Sequence, residues 1–221
     1  MIEAVIFDCD GVLVDSEVLA LEVELAALAE VGLHYEEEDF KARFMGMSTP
    51  AFYDALEADH RLHFGRDLPE GFRDLCSARY RASWHRLGEV PGAREAIAKV
   101  SHPKAVASSS HEDALARKLE LTGLRAHFAP HIYSADRVTH AKPAPDLFLY
   151  AARGLDVAPE RCLVLEDSVN GVRAGRAAGM TVWGFLGGGH MNDAIGARLL
   201  TAGAVELVRD WKHLTEMLAA V

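Results

Sequence analysis

The sequence predicts an α/β fold, a Rossmann-like parallel sheet core with helices on both faces and an inserted α-helical segment. Two observations predict the sheet: short, continuous apolar runs recur along the chain, and helical patterns separate them. Strands that alternate with helices form a parallel sheet buried on both faces. The third observation predicts the insert, because this rhythm is absent between about residue 16 and residue 88.

The first element, Ala4-Val5-Ile6-Phe7, is apolar throughout and runs into the polar turn Asp8-Cys9-Asp10-Gly11. That is the pattern of a buried strand whose C-terminal end opens to solvent. Further strands are expected at 105–107, 132–133, 162–165, 181–183 and 204–207. Between them, Leu115 and Leu119 lead to a helix stop at Gly123, and Val172 and Ala177 to one at Gly179. Within the insert, Val18, Leu21, Leu25 and Leu28 form a helical stripe that ends near Gly32. Helical patterns follow over 50–58 and 72–85, and the chain rejoins the core near Val90-Pro91-Gly92. The expected organisation is therefore a core of residues 1–15 and 89–221 with a helical insert of residues 16–88. The glycine run at 187–189 lacks the spacing of a P-loop, so it reads as a turn after a strand, with His190 as a loop histidine, the alternative being that it swings toward the strand ends.

The 221 residues are half apolar, enough to bury a core without disulfides or a structural metal. A net charge of −10 argues against a nucleic-acid partner, which requires a basic stripe. No apolar run approaches the ~20 residues of a membrane-spanning helix. Met1-Ile2-Glu3-Ala4 carries neither a basic n-region nor a small-residue cleavage site. Cys9, Cys76 and Cys162 form no C-x-x-C pair, and Cys9 stands between two aspartates, where anionic surroundings raise a thiol pKa. Cys9 is thus read as a packing residue. The expectation is a cytoplasmic monomer with no nucleic-acid or membrane partner.

Ligands of open parallel sheets bind outside the carboxyl ends of the strands, and the chemistry-bearing residues fall there. Asp8 and Asp10 follow the first strand, Ser108 ends the second, and Glu166 and Asp167 end a later one. Lys142 lies in the Pro-flanked loop Ala141-Lys142-Pro143-Ala144-Pro145. Carboxylates brought that close repel one another unless a cation sits among them. A hard divalent ion with oxygen ligands resolves the conflict, and Mg²⁺ fits best because it shares its shell with phosphate and water. Asp8, Asp10, Glu166 and Asp167 are the candidate metal residues, with Glu166 holding a metal-bound water.

Phosphoryl transfer then distributes the roles. Asp8 attacks phosphorus, and Asp10, two residues on along an extended chain, protonates the leaving oxygen and later activates water. The Ser108 hydroxyl and neighbouring N–H groups, Ser109 included, donate to the phosphoryl oxygens, and Lys142 stabilises the added negative charge. Each part has a plain alternative when taken alone. Ser108-Ser109-Ser110 reads as a helix N-cap run, Lys142 as a solvated lysine, and Glu166-Asp167 as a cap for a helix beginning near Ser168. Their order along one chain, each at the end of an apolar run, favours the joint reading.

These segments resemble the four motifs of the haloacid dehalogenase superfamily. The first is matched by the run from Asp8 to Glu17, the second by Val106-Ala107-Ser108, the third by Lys142-Pro143, and the fourth by Leu165-Glu166-Asp167-Ser168. The resemblance covers essentially the whole chain. It implies a phosphatase or mutase rather than a dehalogenase, because position 10 is aspartate, and it makes residues 16–88 a cap that closes over the site. Met45-Gly46-Met47-Ser48 resembles the substrate-contact loop of the cap, which makes Gly46 and Ser48 candidate substrate residues. Among relatives the chain is similar to β-phosphoglucomutase-like proteins, and within these to members of the 6-phosphogluconate phosphatase type. Ala20 and Thr49 stand where the mutase has a cap histidine and a phosphate-binding arginine, which favours hydrolysis of a sugar or sugar-acid phosphate over isomerisation. A phosphosugar mutase and a non-catalytic phosphometabolite-binding protein are the alternatives. The cap cations Lys41, Arg43, Arg61, Arg66, Arg79 and Arg81 read mostly as solvated helix faces.

Overall fold

The computed structural model of the chain describes residues 1–45, 47 and 49–220. The chain divides into two compact units, Met1–Ser16 with Leu87–Val221, and Glu17–Arg86.

The first unit is built on six parallel strands: β1 (Ala4–Phe7), β2 (Lys104–Ser108), β3 (Ile132–Ser134), β4 (Cys162–Glu166), β5 (Thr181–Phe185) and β6 (Glu206–Val208). Their order across the sheet is β3-β2-β1-β4-β5-β6. All four side chains of β1 and all five of β4 are buried, as strands covered on both faces must be. The order reverses at β1, whose neighbours are β2 on one side and β4 on the other. That reversal opens a crevice at the carboxyl ends of β1, β2 and β4, where open α/β sheets receive ligands.

Seven helices surround this sheet: α5 (Ala93–Lys99), α6 (Glu112–Leu121), α7 (Arg125–Phe128), α8 (Asp146–Leu155), α9 (Val169–Ala177), α10 (Asp193–Ala202) and α11 (Trp211–Leu218). Side-chain caps start three of them. Ser168 accepts from Gly171 N–H, Asn192 from Ile195 N–H and Asp210 from His213 N–H, which satisfies amides that the helix itself leaves bare. Phe7 packs edge-on against Phe128 at 5.8 Å and lies 5.9 Å from the Trp211 ring, so β1 is clamped by aromatic rings. Where the chain leaves and re-enters this unit, Val14 pairs antiparallel with Glu89, and Val90 N–H donates to Leu13 at 2.9 Å.

The second unit consists of α1 (Ser16–Glu30, less its first residue), α2 (Glu37–Phe44), α3 (Thr49–Phe64) and α4 (Phe72–Ala82), followed by a short 3₁₀ turn. It has its own core of Leu21, Leu28, Phe40, Phe44, Leu56 and Phe72 with smaller residues between. Asp59, buried, accepts from Tyr35 at 2.6 Å and pairs with both Arg43 nitrogens at 2.6 Å, so Arg43 is a structural cation rather than a solvated one. Arg79 is likewise engaged, bridging to Glu30 from helix to helix at 2.7 Å.

This unit also carries an open pocket of about 290 Å³, lined by aromatic rings including Phe44, Phe52 and Tyr80 and by the polar groups of Glu17, Glu24, Arg73 and Ser77. Burial, with Glu17 adding to it, pushes the Glu24 carboxyl up to about 7. A carboxyl raised on folding contributes stability that is present below its unfolded pKa and lost as pH rises through its folded value. Glu24→Gln is therefore expected to leave Tm unchanged near about pH 4 and to raise it by a few degrees near about pH 8, checked by thermal melts at both.

Candidate active site

Beyond Phe7 the chain stays paired for one more residue, Asp8 N–H donating to Leu165 at 3.0 Å, and then turns. Leu13 and Val14 N–H both donate to Cys9 at 2.9 Å, and Gly11 N–H to Val14 at 2.8 Å, which closes a tight loop. Gly11 has φ +78°, and a Cβ there would run into the Asp167 carboxylate and the His190 ring, so only glycine fits. Cys9 is fully buried and its thiol is pushed well up by burial and then by Asp10, in keeping with a packing role.

Asp8, Glu166 and Asp167 are buried and bring one oxygen each within 4.8 Å of the others. Lys142 meets them from the loop before α8. Its Nζ donates to Asp8 Oδ1 at 2.5 Å, Glu166 Oε1 at 2.7 Å and the Ala107 carbonyl at 3.0 Å, over the Phe148 ring at 4.8 Å from the centroid. The second Glu166 oxygen accepts from Ser168 N–H and Oγ at 2.9 Å. Gly171, in the first turn of α9, leaves the room that carboxylate occupies, since a Cβ there would collide with it. Lys142 is thus neither solvated nor a surface charge.

One ammonium does not balance three carboxylates. Burial raises Asp8 well above the usual carboxylate range, and although Lys142 opposes this, Glu166, Asp167 and Asp10 add to it. Asp167 is raised in the same way, by burial and then by Glu166. Burial works to lower Lys142, and its two carboxylate partners more than offset that, holding it well above the ordinary lysine value. A converging set of hard oxygen donors with surplus negative charge fits a divalent cation.

The Asp10 carboxylate is held by a separate set of partners. Its Oδ1 accepts from Ser16 at 2.6 Å and Lys118 at 2.5 Å, and its Oδ2 from Ser110 at 2.8 Å, outside the cluster of Asp8, Glu166 and Asp167. Regular strand ends at Phe7, so these contacts are set by the turn and not by strand alternation. Burial favours the neutral acid, but Lys118 and the two hydroxyls outweigh it and lower the Asp10 pKa.

The serine run does not cap α6, whose N-cap position is His111 without a side-chain hydrogen bond. Instead buried Ser108 accepts from Ser110 N–H at 3.1 Å, Ser109 is exposed, and Ser110 turns to Asp10. His190 is no simple loop histidine. It is buried, with Nε2 3.1 Å from Asp167 Oδ2. Its loop lies against the Asp8–Gly11 turn, for a Cβ on Gly188 would approach the Gly11 carbonyl to 2.6 Å. Lys118 escaped the sequence reading altogether. The signal was its place on the apolar stripe of α6 with Leu115 and Leu119, where a lysine must find an anion. Gly46 and Ser48 lie outside the described residues.

Residues 2–179 match the model of the haloacid dehalogenase-like hydrolases. The chain is 28% identical over 205 residues to the 6-phosphogluconate phosphatase of Escherichia coli (strain K12), covering 90% of each chain. It is 34% identical over 216 residues to the phosphorylated carbohydrates phosphatase of Thermotoga maritima, covering 94% of each. Among solved structures, a HAD family hydrolase of Deinococcus radiodurans with bound phosphate and sodium superposes with a TM-score of 0.87 at 35% identity, over 99% of this chain and 96% of that one. A match over most of the length, on a parallel sheet with these side chains at its switch point, leaves one assignment: the chain is an enzyme of the haloacid dehalogenase-like hydrolase family.

Proposed function

We propose that this hydrolase is a Mg²⁺-dependent phosphatase that removes phosphate from a small phosphorylated carbohydrate in the cytoplasm, through an aspartyl phosphate on Asp8. The observation that carries the reading is the placement of Asp8, buried at the head of β1 between Lys142 and the oxygens of Glu166 and Asp167. Asp8, Glu166 and Asp167 would hold the cation, which when bound offsets the repulsion between an anionic nucleophile and a phosphate dianion.

Asp8 supplies the oxygen that bonds to phosphorus, while the alkoxide of the leaving group takes a proton from Asp10. Asp10 then accepts a proton from the water that attacks the aspartyl phosphate and frees Asp8. Lys142 holds Asp8 in line and offers positive charge to the phosphoryl oxygens, and the Ser108 hydroxyl donates to them. The relatives named for phosphorylated carbohydrates and 6-phosphogluconate support the substrate class.

Ala20 and Thr49 are not basic, so neither can serve a second phosphate as a histidine or arginine would. Hydrolysis is thus favoured over phosphate migration. The test is phosphate release from hexose phosphates, hexitol phosphates, 6-phosphogluconate and nucleoside monophosphates, with Mg²⁺ and with chelator. Release from one or more of the carbohydrate phosphates, lost on chelation, is expected. Turnover undiminished by chelator would overturn the metal site, and interconversion of hexose 1- and 6-phosphates without release would establish the mutase.

A further inference from the structure

We infer that Lys118 is a positioning residue for Asp10, aiming its carboxylate at the water that hydrolyses the phosphoenzyme and keeping it out of the metal-binding set. This rests on the proposed phosphatase cycle. Lys118 reaches from the buried face of α6 to Asp10 Oδ1 at 2.5 Å and to Ser110 Oγ at 3.1 Å. Ser110 Oγ in turn donates to Asp10 Oδ2 at 2.8 Å, and Ser16 Oγ to Oδ1 at 2.6 Å. Both oxygens are therefore held, and by donors from three separate segments: the first turn of α1, the loop after β2, and α6. A further tie fixes that loop, Ser134 Oγ donating to the Ser110 carbonyl at 2.7 Å.

Stability alone does not account for such a pair. A buried ion pair replaced by apolar side chains of similar volume is often neutral or stabilising. What an ammonium does here, and a methionine would not, is fix the direction of a carboxylate. Without Lys118, only the Ser16 and Ser110 hydroxyls would hold the Asp10 carboxylate, with no positive charge to fix its direction. With it, Asp8, Glu166 and Asp167 serve the cation and Asp10 serves the proton.

Asp10 acts as acid in the first step and as base in the second, and the second step is the one that a misaimed carboxylate slows most. The water oxygen bonds to phosphorus, the bond from Asp8 Oδ to phosphorus breaks with its electron pair returning to the Asp8 carboxylate, and the water proton passes to Asp10.

The experiment measures kcat together with the fraction of enzyme trapped as phosphoenzyme by acid quench, in the full-length protein with Mg²⁺ and its best substrate. Lys118→Met is expected to lower kcat by ~10²-fold and to raise the phosphoenzyme fraction, with Lys118→Arg restoring part of the rate. In an Asp10→Asn background Lys118→Met should add almost nothing, because the group it positions is gone. Lys118→Gln carries the same test should methionine fail to fold. A kcat and phosphoenzyme fraction equal to wild type, or a loss that is fully additive with Asp10→Asn, would overturn the assignment. Absence of any phosphoenzyme in the wild type would instead sink the proposed cycle itself.

Discussion

Asp8→Asn is expected to lower phosphate release by at least ~10⁴-fold while the protein remains folded, since removal of a nucleophile leaves only binding and electrostatic assistance. Its effect on stability is expected to be small or favourable. Burial pushes the Asp8 carboxyl up, Lys142 opposes this and three acidic neighbours add to it, so holding a charge at this position costs stability in the folded state. An amide of the same shape removes that cost, and Lys142 keeps Glu166 as a partner at 2.7 Å. Active sites hold such strained electrostatics at the expense of stability. Steady-state rates and thermal melts of the purified variant, run without divalent cation, check both halves. Melting many degrees below wild type would mean that Asp8 is structural.

The second large effect is on the lysine. Lys142→Met is expected to cost about 3–5 kcal/mol of stability at neutral pH, because the buried carboxylates of Asp8 and Glu166 lose the ammonium that pairs with both. The same change is expected to slow turnover by ~10²–10³-fold through loss of charge stabilisation at the phosphoryl group. Divalent cation, bound by the same carboxylates, should return part of the lost stability. Denaturant unfolding with and without Mg²⁺ measures this directly. A variant as stable as wild type in chelator would show that Lys142 does not neutralise the cluster.

How much of this was legible in the sequence depended on how local the cause was. The strands at Ala4–Phe7 and Cys162–Glu166 were readable because a strand buried on both faces is apolar at every position, or nearly so. The last strand begins two residues later than expected, at Glu206, since Val205 is half exposed at the edge of the sheet and pattern alone does not separate it from its approach. The helix Glu37–Phe44 went unread because Phe40 and Phe44 are its only buried residues among charges, although its acidic start and basic end agree with the helix dipole. Asp8, Ser108, Glu166 and Asp167 could be found because each closes an apolar run, and Lys142 because its loop is rigid and Pro-flanked.

The partners of these residues could not be found that way. Ser16, Ser110 and Lys118 meet Asp10 only through the packing of three segments, and His190 meets Asp167 across a loop that composition describes merely as glycine-rich. The hydrogen-bond partners of Asp10 itself lie past the turn that ends strand alternation, where spacing no longer points to them. Tertiary contacts, rather than spacing, decide where a carboxylate points once the strand has ended.

The most direct test of the central claim is to find the phosphoryl group on the protein. Wild-type enzyme is mixed with Mg²⁺ and its best carbohydrate phosphate, quenched in acid within a turnover, and digested for peptide mass analysis. The account predicts one added phosphoryl group on the N-terminal peptide, assigned to Asp8 and absent from Asp8→Asn. Turnover with no phosphoryl group on any peptide, or with the group on another residue, would contradict it.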